Sequence, residues 1–405
     1  MRRNLVEEGR NLRIGFLTAK DPKDRRAWSG TMYHIVEALA KHAGEVVPLG
    51  PVESVRRLRL RSLSNRLRPL LGKRYDAGHS ILVSAEYGKA FSEKLAKTPV
   101  DVIFAPVAAT EVAFLRTPVP IVYVSDATFA AISGYYEDFS NLLALSRFEG
   151  NLVERRAIRK AARVIYSSEW AKQSAMRDYG AENGKLHVIA FGANLDDPPS
   201  AASILARART PGLRLLFVGV DWERKGGPIA LEALLELGRL GVPATLTVVG
   251  CQPKGLAASD KLRVVPFLNK NDPAQRATLE DLYLNSDIFL LPTRAECSAI
   301  AFCEAAAYGM PIVSTDTGGV ASVVQNNITG LLFAPEARGA EYAKGIADLW
   351  HDARRFEVMA TAARKDFDDR LNWNAWGRAT EKVLRDAVAG QREVTGERRP
   401  CKGAP

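Results

Sequence analysis

Few residues in this chain suit metal binding or cross-linking: five histidines and four cysteines in 405 residues. His34, His42, His79, His187 and His351 are scattered without ligand spacing, which argues against a histidine metal centre. Cys251, Cys297, Cys303 and Cys401 form neither a C-x-x-C pair nor a disulfide framework, so they read as free thiols of a reducing compartment. No apolar run is long enough to cross a bilayer, and the basic start MRRNLVEEGRNLR lacks the apolar segment of a signal peptide. A cytoplasmic protein is the expectation. Two phosphate motifs are missing too. GFLTAKDPKDRRAWSGT holds no G-x-G-x-x-G after the first apolar run, and no G-x4-G-K-[ST] occurs. A nicotinamide dehydrogenase and a P-loop NTPase are thereby set aside. The only D-x-D match, Asp366-Phe-Asp368, sits in a helical pattern with no strand before it and is no metal site.

What remains is an ordinary globular composition, 47% hydrophobic and 25% charged, in a chain long enough for two domains. The net charge of +10 is uneven: residues 1–200 carry 30 Lys and Arg against 22 Asp and Glu, the remainder 26 against 24. Much of the excess lies in SVRRLRLRSLSNRLRPLLGKRY, residues 54–75, where leucines interleave with arginines between Arg56 and Arg74. Two readings stand side by side. One is a patch that meets an anionic membrane or an anionic acceptor, peripheral to the inner face of the membrane. The other is a surface helix whose basic face is merely solvated. Nucleic acid is disfavoured, because no aromatics interleave and no reading motif occurs.

Short apolar runs alternate with helical patterns along the whole chain, which predicts parallel sheets wrapped by helices. Strands are expected at 12–18, 100–106, 120–126, 162–168 and 185–192. Prolines and small residues then cluster at 193–203, the most linker-like stretch. The alternation restarts with strands at 213–220, 244–250, 261–268, 286–293 and 311–316. The fold class expected is therefore α/β, with two doubly wound domains in series. They are placed at 1–195 and 205–370, with a further helix at 371–390 and a disordered tail at 391–405.

Three predicted strand ends in the second domain are unusual. GVDWERKGGP brings Arg224, Lys225 and two glycines to the start of a helix, a place suited to an anion. The alternative there is a solvated turn. In RAECSAIAFCEAAAYGMPIVSTDTGG, Glu296 falls in a loop and Glu304 about two turns into a helix expected from Ser298. A buried carboxylate is costly unless it is paired. Either these two serve as caps or salt bridges, or a ligand rich in hydroxyls meets them. STDTGGV ends a third strand with paired glycines.

LLFVGVDWERKGG, VVPFL, DLYLNSDIFLLPT, the E-x7-E pair, EAAAYGMPIVSTDTGG and NNITGLLF, in this order over residues 213–333, resemble the retaining nucleotide-sugar glycosyltransferases of the group 1, or family-four, type. The N-terminal half is similar more loosely, through the first strand, WSGT and PIVYVSDATF. The resemblance implies the GT-B fold, two Rossmann-like domains facing a central cleft. It implies a nucleotide-sugar donor in the second domain and a glycan or lipid-linked acceptor on the side of the first. Lys225 and Arg224 would grip the donor diphosphate and Glu304 the ribose hydroxyls. Glu296 would lie at the transferred sugar, with Ser298 and Ala299 against the donor and the backbone around Phe267 and Leu268 reading the base. Asp126 takes the place of a common histidine touching the sugar, and Gly30 lets phosphate and acceptor approach the backbone. Tyr135 and Tyr136 either stack on the acceptor or pack. No metal and no cofactor are expected, since cations and helix ends can stabilise the leaving phosphate. Retention without an evident nucleophile implies same-face attack. Val220, Asp126 and Cys297-Ser298-Ala299 depart from the family pattern. On them rests the alternative, a non-catalytic nucleotide-binding partner or scaffold.

Overall fold

A parallel strand is covered on both faces, so it needs an unbroken apolar run rather than alternation. That is how the runs read above behave in the computed structural model, which describes residues 11–24, 27–205, 211–252 and 259–395. The strands are β1 (Leu12–Phe16), β2 (Gly44–Pro48), β3 (Val102–Pro106), β4 (Ile121–Ser125), β5 (Arg163–Tyr166) and β6 (Leu186–Val188), then β7 (Leu213–Val218), β8 (Ala244–Val249), β9 (Leu262–Val265), β10 (Ile288–Leu291), β11 (Ile312–Thr315) and β12 (Gly330–Phe333). They form two six-stranded sheets, ordered β2-β1-β3-β4-β5-β6 and β12-β11-β10-β7-β8-β9. Every ladder in both is parallel.

Two strands are additional to the sequence reading, β2 and β12. Both lie at sheet edges. β2 has no buried residue, and the last two residues of β12 are only half-buried, so neither shows the apolar run of a central strand. The predicted strands otherwise appear at their places, shortened by one or more residues at an end.

The chain divides into two compact units. The first holds the described residues up to Tyr166, Ala171–Ile189 and those from Gly377 on; the second holds Ser167–Trp170 and Ala190–Trp376. The last changeover falls within the helix Trp373–Thr395. This helix continues five residues into the segment expected to lack order, and residues 396–405 lie outside the described ones. The helix Ala353–Asp369 contains the D-x-D match, and its carboxylates bond arginines one turn away: Asp366 accepts from Arg370 Nε at 2.6 Å and Asp368 from Arg364 Nε at 3.0 Å.

In the second sheet the order turns back between β7 and β10, the point where a doubly wound sheet opens a crevice at its carboxyl edge. The two ends are locked at the opposite edge by Arg214, whose guanidinium grips the buried Asp287 carboxylate at 2.8 and 3.0 Å. Phe289, Tyr283 and Tyr308 stack beneath, with centroids 6.0 and 5.2 Å apart. Lys225 and Glu296 follow the strands on either side of this reversal.

Candidate functional site

The loop after β7 folds back on itself before the helix Gly227–Arg239 opens. Lys225 N–H donates to Asp221 O and Gly226 N–H to Glu223 O, both at 3.0 Å. Gly226 has φ 76°, and a Cβ there would lie 1.9 Å from the carbonyl oxygen of Pro292. A Cβ on Gly227 would lie 2.1 Å from the Trp222 ring. The glycine pair is thus required by the protein's own packing. It presses the loop against the end of β10, where Arg294 N–H donates to Arg224 O at 2.7 Å.

Held in this way, Lys225 forms an ion pair with Glu296. Their side chains are only 13% and 7% exposed. Arg224, expected beside Lys225 on an anion, turns elsewhere: its Nε bonds Asp221 at 3.1 Å and its Nη1 the Ala295 carbonyl at 3.0 Å. The loop after β11 closes on the same backbone. Gly319 N–H donates to Glu296 O at 2.9 Å, and a Cβ on Gly319 would meet Cys297 O at 1.9 Å.

The helix begins at Ile300 rather than Ser298, so Glu304 lies about one turn in, not two. Its N-cap is Ala299, whose side chain can accept nothing, and no side chain caps these amides. No side chain caps the helix after Gly226 either. Ser298 Oγ is buried without a hydrogen-bond partner among the described residues. Glu304, 2% exposed, is gripped from two sides: Lys270 forms an ion pair with it, and Tyr283 OH donates to Oε2 at 3.0 Å. Burial, then the Glu304 carboxylate, raises the Tyr283 hydroxyl well above the ordinary tyrosine range. Each glutamate of the pair therefore carries its own lysine from a strand-end loop.

Sequence alone does not point to Lys270 or Tyr283. Lys270 lies in FLNKNDP, a polar loop whose one signal is its place after β9; Tyr283 reads as core inside a helix. Upstream of Lys270, Leu268 is half-buried and Phe267 is 63% exposed, an aromatic ring left in water. The thiols nearby are poor nucleophiles: burial pushes Cys303 up to about 12 and Cys251 up to about 11.

The first unit brings its own two candidates together. Trp28, Ser29 and Gly30 all have positive φ (50°, 57° and 88°), a left-handed run that leads into the helix Thr31–His42 without a side-chain cap. Trp28 Nε1–H donates to Asp126 Oδ2 at 3.2 Å, so the loop of Gly30 and the end of β4 meet. Tyr135 and Tyr136 contact each other edge to face, with centroids 5.5 Å apart.

The second unit thus offers two buried carboxylates for hydroxyl groups, a lysine for an anion and helix amides that no side chain takes. Comparison with known proteins points the same way. Residues 207–366 match the family described as "Glycosyl transferases group 1", and residues 30–197 match "Glycosyltransferase Family 4". A D-inositol 3-phosphate glycosyltransferase of Streptomyces bingchenggensis is 26% identical over 258 residues, covering 60% of this chain and 56% of the relative. A glycogen synthase of Mycobacterium tuberculosis is 29% identical over 256 residues, covering 62% and 60%. The matched region thus spans less than two thirds of either relative's length. Among solved structures, sucrose-phosphate synthase from Thermosynechococcus elongatus superposes with a TM-score of 0.66 at 16% identity, covering 94% of this chain and all of that one. Anabaena Alr3699/HepE in complex with UDP-glucose gives 0.59 at 16% identity, covering 93% and 100%. These likenesses show the two-domain GT-B fold.

Proposed function

The chain belongs to the family of group 1 glycosyl transferases, and we propose that it moves a sugar from a nucleoside-diphosphate sugar to a glycan, lipid or lipid-linked acceptor. The observation that carries this reading is the Glu296/Glu304 couple. Both carboxylates are buried, each is neutralised by a lysine, and Glu304 stands at the foot of an uncapped helix. The UDP-glucose held by the Anabaena neighbour supports a nucleotide sugar as donor.

In this proposal Lys225 and the helix amides after Gly226 and Ala299 receive the diphosphate, and Ser298 Oγ gains its missing partner there. Glu304 accepts from the ribose hydroxyls. Phe267 and Leu268 border the base. Glu296 accepts from hydroxyls of the transferred sugar. In the first unit, Asp126 is an acceptor for a sugar hydroxyl, and the loop of Gly30 admits the acceptor. Charge growing on the leaving diphosphate is stabilised by Lys225 and the helix ends, without a metal. The sugar is transferred with retention: the acceptor oxygen enters on the face the diphosphate leaves, and the departing phosphate oxygen takes the acceptor proton.

The acceptor side has a candidate membrane contact. The helix Val55–Leu71 holds six arginines and no acid, and Leu58, Leu63 and Leu70 are 62%, 52% and 82% exposed. Among the described residues no helix is long and apolar enough to cross a membrane. Peripheral contact with anionic headgroups would suit this helix.

A second reading, a nucleotide-binding partner without turnover, is favoured by Arg224, which is tied to Asp221 and Ala295. The deciding experiment incubates the full chain with a panel of nucleoside-diphosphate sugars and follows release of nucleoside diphosphate. Turnover lost in both Glu304→Ala and Lys225→Ala, with the fold intact by circular dichroism, supports the transferase. Binding without turnover across the panel supports the partner, and no binding of any nucleotide sinks both.

A further inference from the structure

We propose that Lys270 is a positioning residue for the donor ribose, acting through Glu304 and tying the loop that borders the base to the carboxylate that reads the sugar of the nucleotide. The inference rests on the assignment of Glu304 made above and adds a residue to it.

A carboxylate offers about four lone-pair sites, two on each oxygen. Lys270 occupies one on Oε1 and Tyr283 one on Oε2, and no other donor to Glu304 occurs among the described residues. One site per oxygen is left, which suits two adjacent hydroxyls that donate together. A ribose offers that pair at its 2′ and 3′ positions; a 2′-deoxyribose does not. The two grips differ in freedom. Tyr283 is fully buried and stacked between Phe289 and Tyr308, so its hydroxyl is a fixed stop. The Lys270 side chain is 34% exposed, so its flexible stem is the adjustable contact.

That loop is stiffened on both sides of Lys270. Asn269 N–H donates to Gln275 Oε1 at 2.8 Å and Asn271 N–H to Asn269 Oδ1 at 3.0 Å. Asp272 then caps the next helix by accepting from Ala274 N–H at 2.9 Å. The ammonium is therefore delivered to Glu304 by a braced loop that also presents the exposed Phe267 ring. Without Lys270, Tyr283 alone would face the carboxylate, leaving its second oxygen unrestrained and its charge unbalanced in a buried place. Charge and orientation thus come from the same residue, and both act on the ribose.

The test measures affinity by calorimetry for UDP and 2′-deoxy-UDP, with GDP and ADP and their 2′-deoxy forms where UDP does not bind. Wild type is expected to prefer the ribonucleotide about tenfold, the strength of one hydrogen bond to a charged group. K270M should lose about tenfold on the ribonucleotide and stay within about twofold on the deoxy form, so the preference collapses; K270R should keep it. Equal loss on both ligands, or on neither, overturns the proposal. K270M/E304Q removes both charges of the pair and decides the matter even where K270M alone does not fold. Its affinities should equal those of E304Q, and a further loss would mean that Lys270 meets the ligand directly, against the proposal. Absence of any preference in wild type, or its persistence in E304Q, would instead sink the reading of Glu304 itself.

Discussion

Replacing Lys225 by methionine keeps the aliphatic stem and removes the charge opposite Glu296. The carboxylate left behind is 7% exposed, so it cannot simply turn to water. Breaking a buried pair from one side costs about 3–5 kcal/mol. The lower end applies here, because both side chains keep a little exposure. Glu296→Gln is milder, about 1–2 kcal/mol, since it keeps an acceptor oxygen for the ammonium. Lys225→Met with Glu296→Gln removes both charges and should cost less than Lys225→Met alone. The expected coupling is about 2–3 kcal/mol. Urea unfolding followed by circular dichroism measures it. The double variant should regain stability and still bind no nucleotide diphosphate. If the two single losses simply add within about 0.5 kcal/mol, the pair is no stabilising unit and the reasoning fails.

Gly226→Ala should cost more than about 2 kcal/mol, from the left-handed backbone and the collision with the Pro292 carbonyl, and should weaken nucleotide binding. Gly241→Ala is the control: φ is 74° but nothing lies within 4 Å, so about 1 kcal/mol is expected; melting temperatures compare the two. In the first unit, burial pushes the Glu154 carboxyl up to about 7, against the lowering effects of His79 and Tyr123. Between pH 4.5 and 7 the folded chain then holds a proton that the unfolded chain releases, so stability falls across that window by about 3 kcal/mol. Denaturation curves at pH 4.5–8 should show the fall, and Glu154→Gln should flatten it. Serine at Leu58, Leu63 and Leu70 should cut co-sedimentation with vesicles containing anionic lipid, and binding that ignores lipid charge would retire the membrane contact.

Sequence carried the α/β class and the central strands, because a strand buried on both faces announces itself as an apolar run: FLL at 289–291 and IV at 312–313 can hardly be read otherwise. GEVVP and GLLF are edge strands with one neighbour each, and with less to bury they leave a weaker pattern. The site was legible where chemistry and position coincide. Lys225 and the two glutamates stand out as charges at predicted strand ends. Their partnerships were not, because an ion pair such as Lys270–Glu304, 34 residues apart, depends on how loops meet. Arg224 shows the converse: an aspartate three residues earlier claims its guanidinium, a local pairing that the motif alone does not reveal. The glycine pair is plain in the sequence, but its reason, the Pro292 carbonyl and the Trp222 ring, lies in the packing.

Since all ladders run parallel, the two edges of each sheet have different work. Residues proposed to meet the nucleotide sugar follow the ends of strands; where strands begin, no ligand contact is proposed. Gly180 and Gly241 lie in such turns, ahead of β6 and β8, and an added Cβ on either would touch nothing within 4 Å. New chain termini or a fluorescent tag spliced in at these two points should leave ligand affinity untouched, giving handles on either unit that report without interfering.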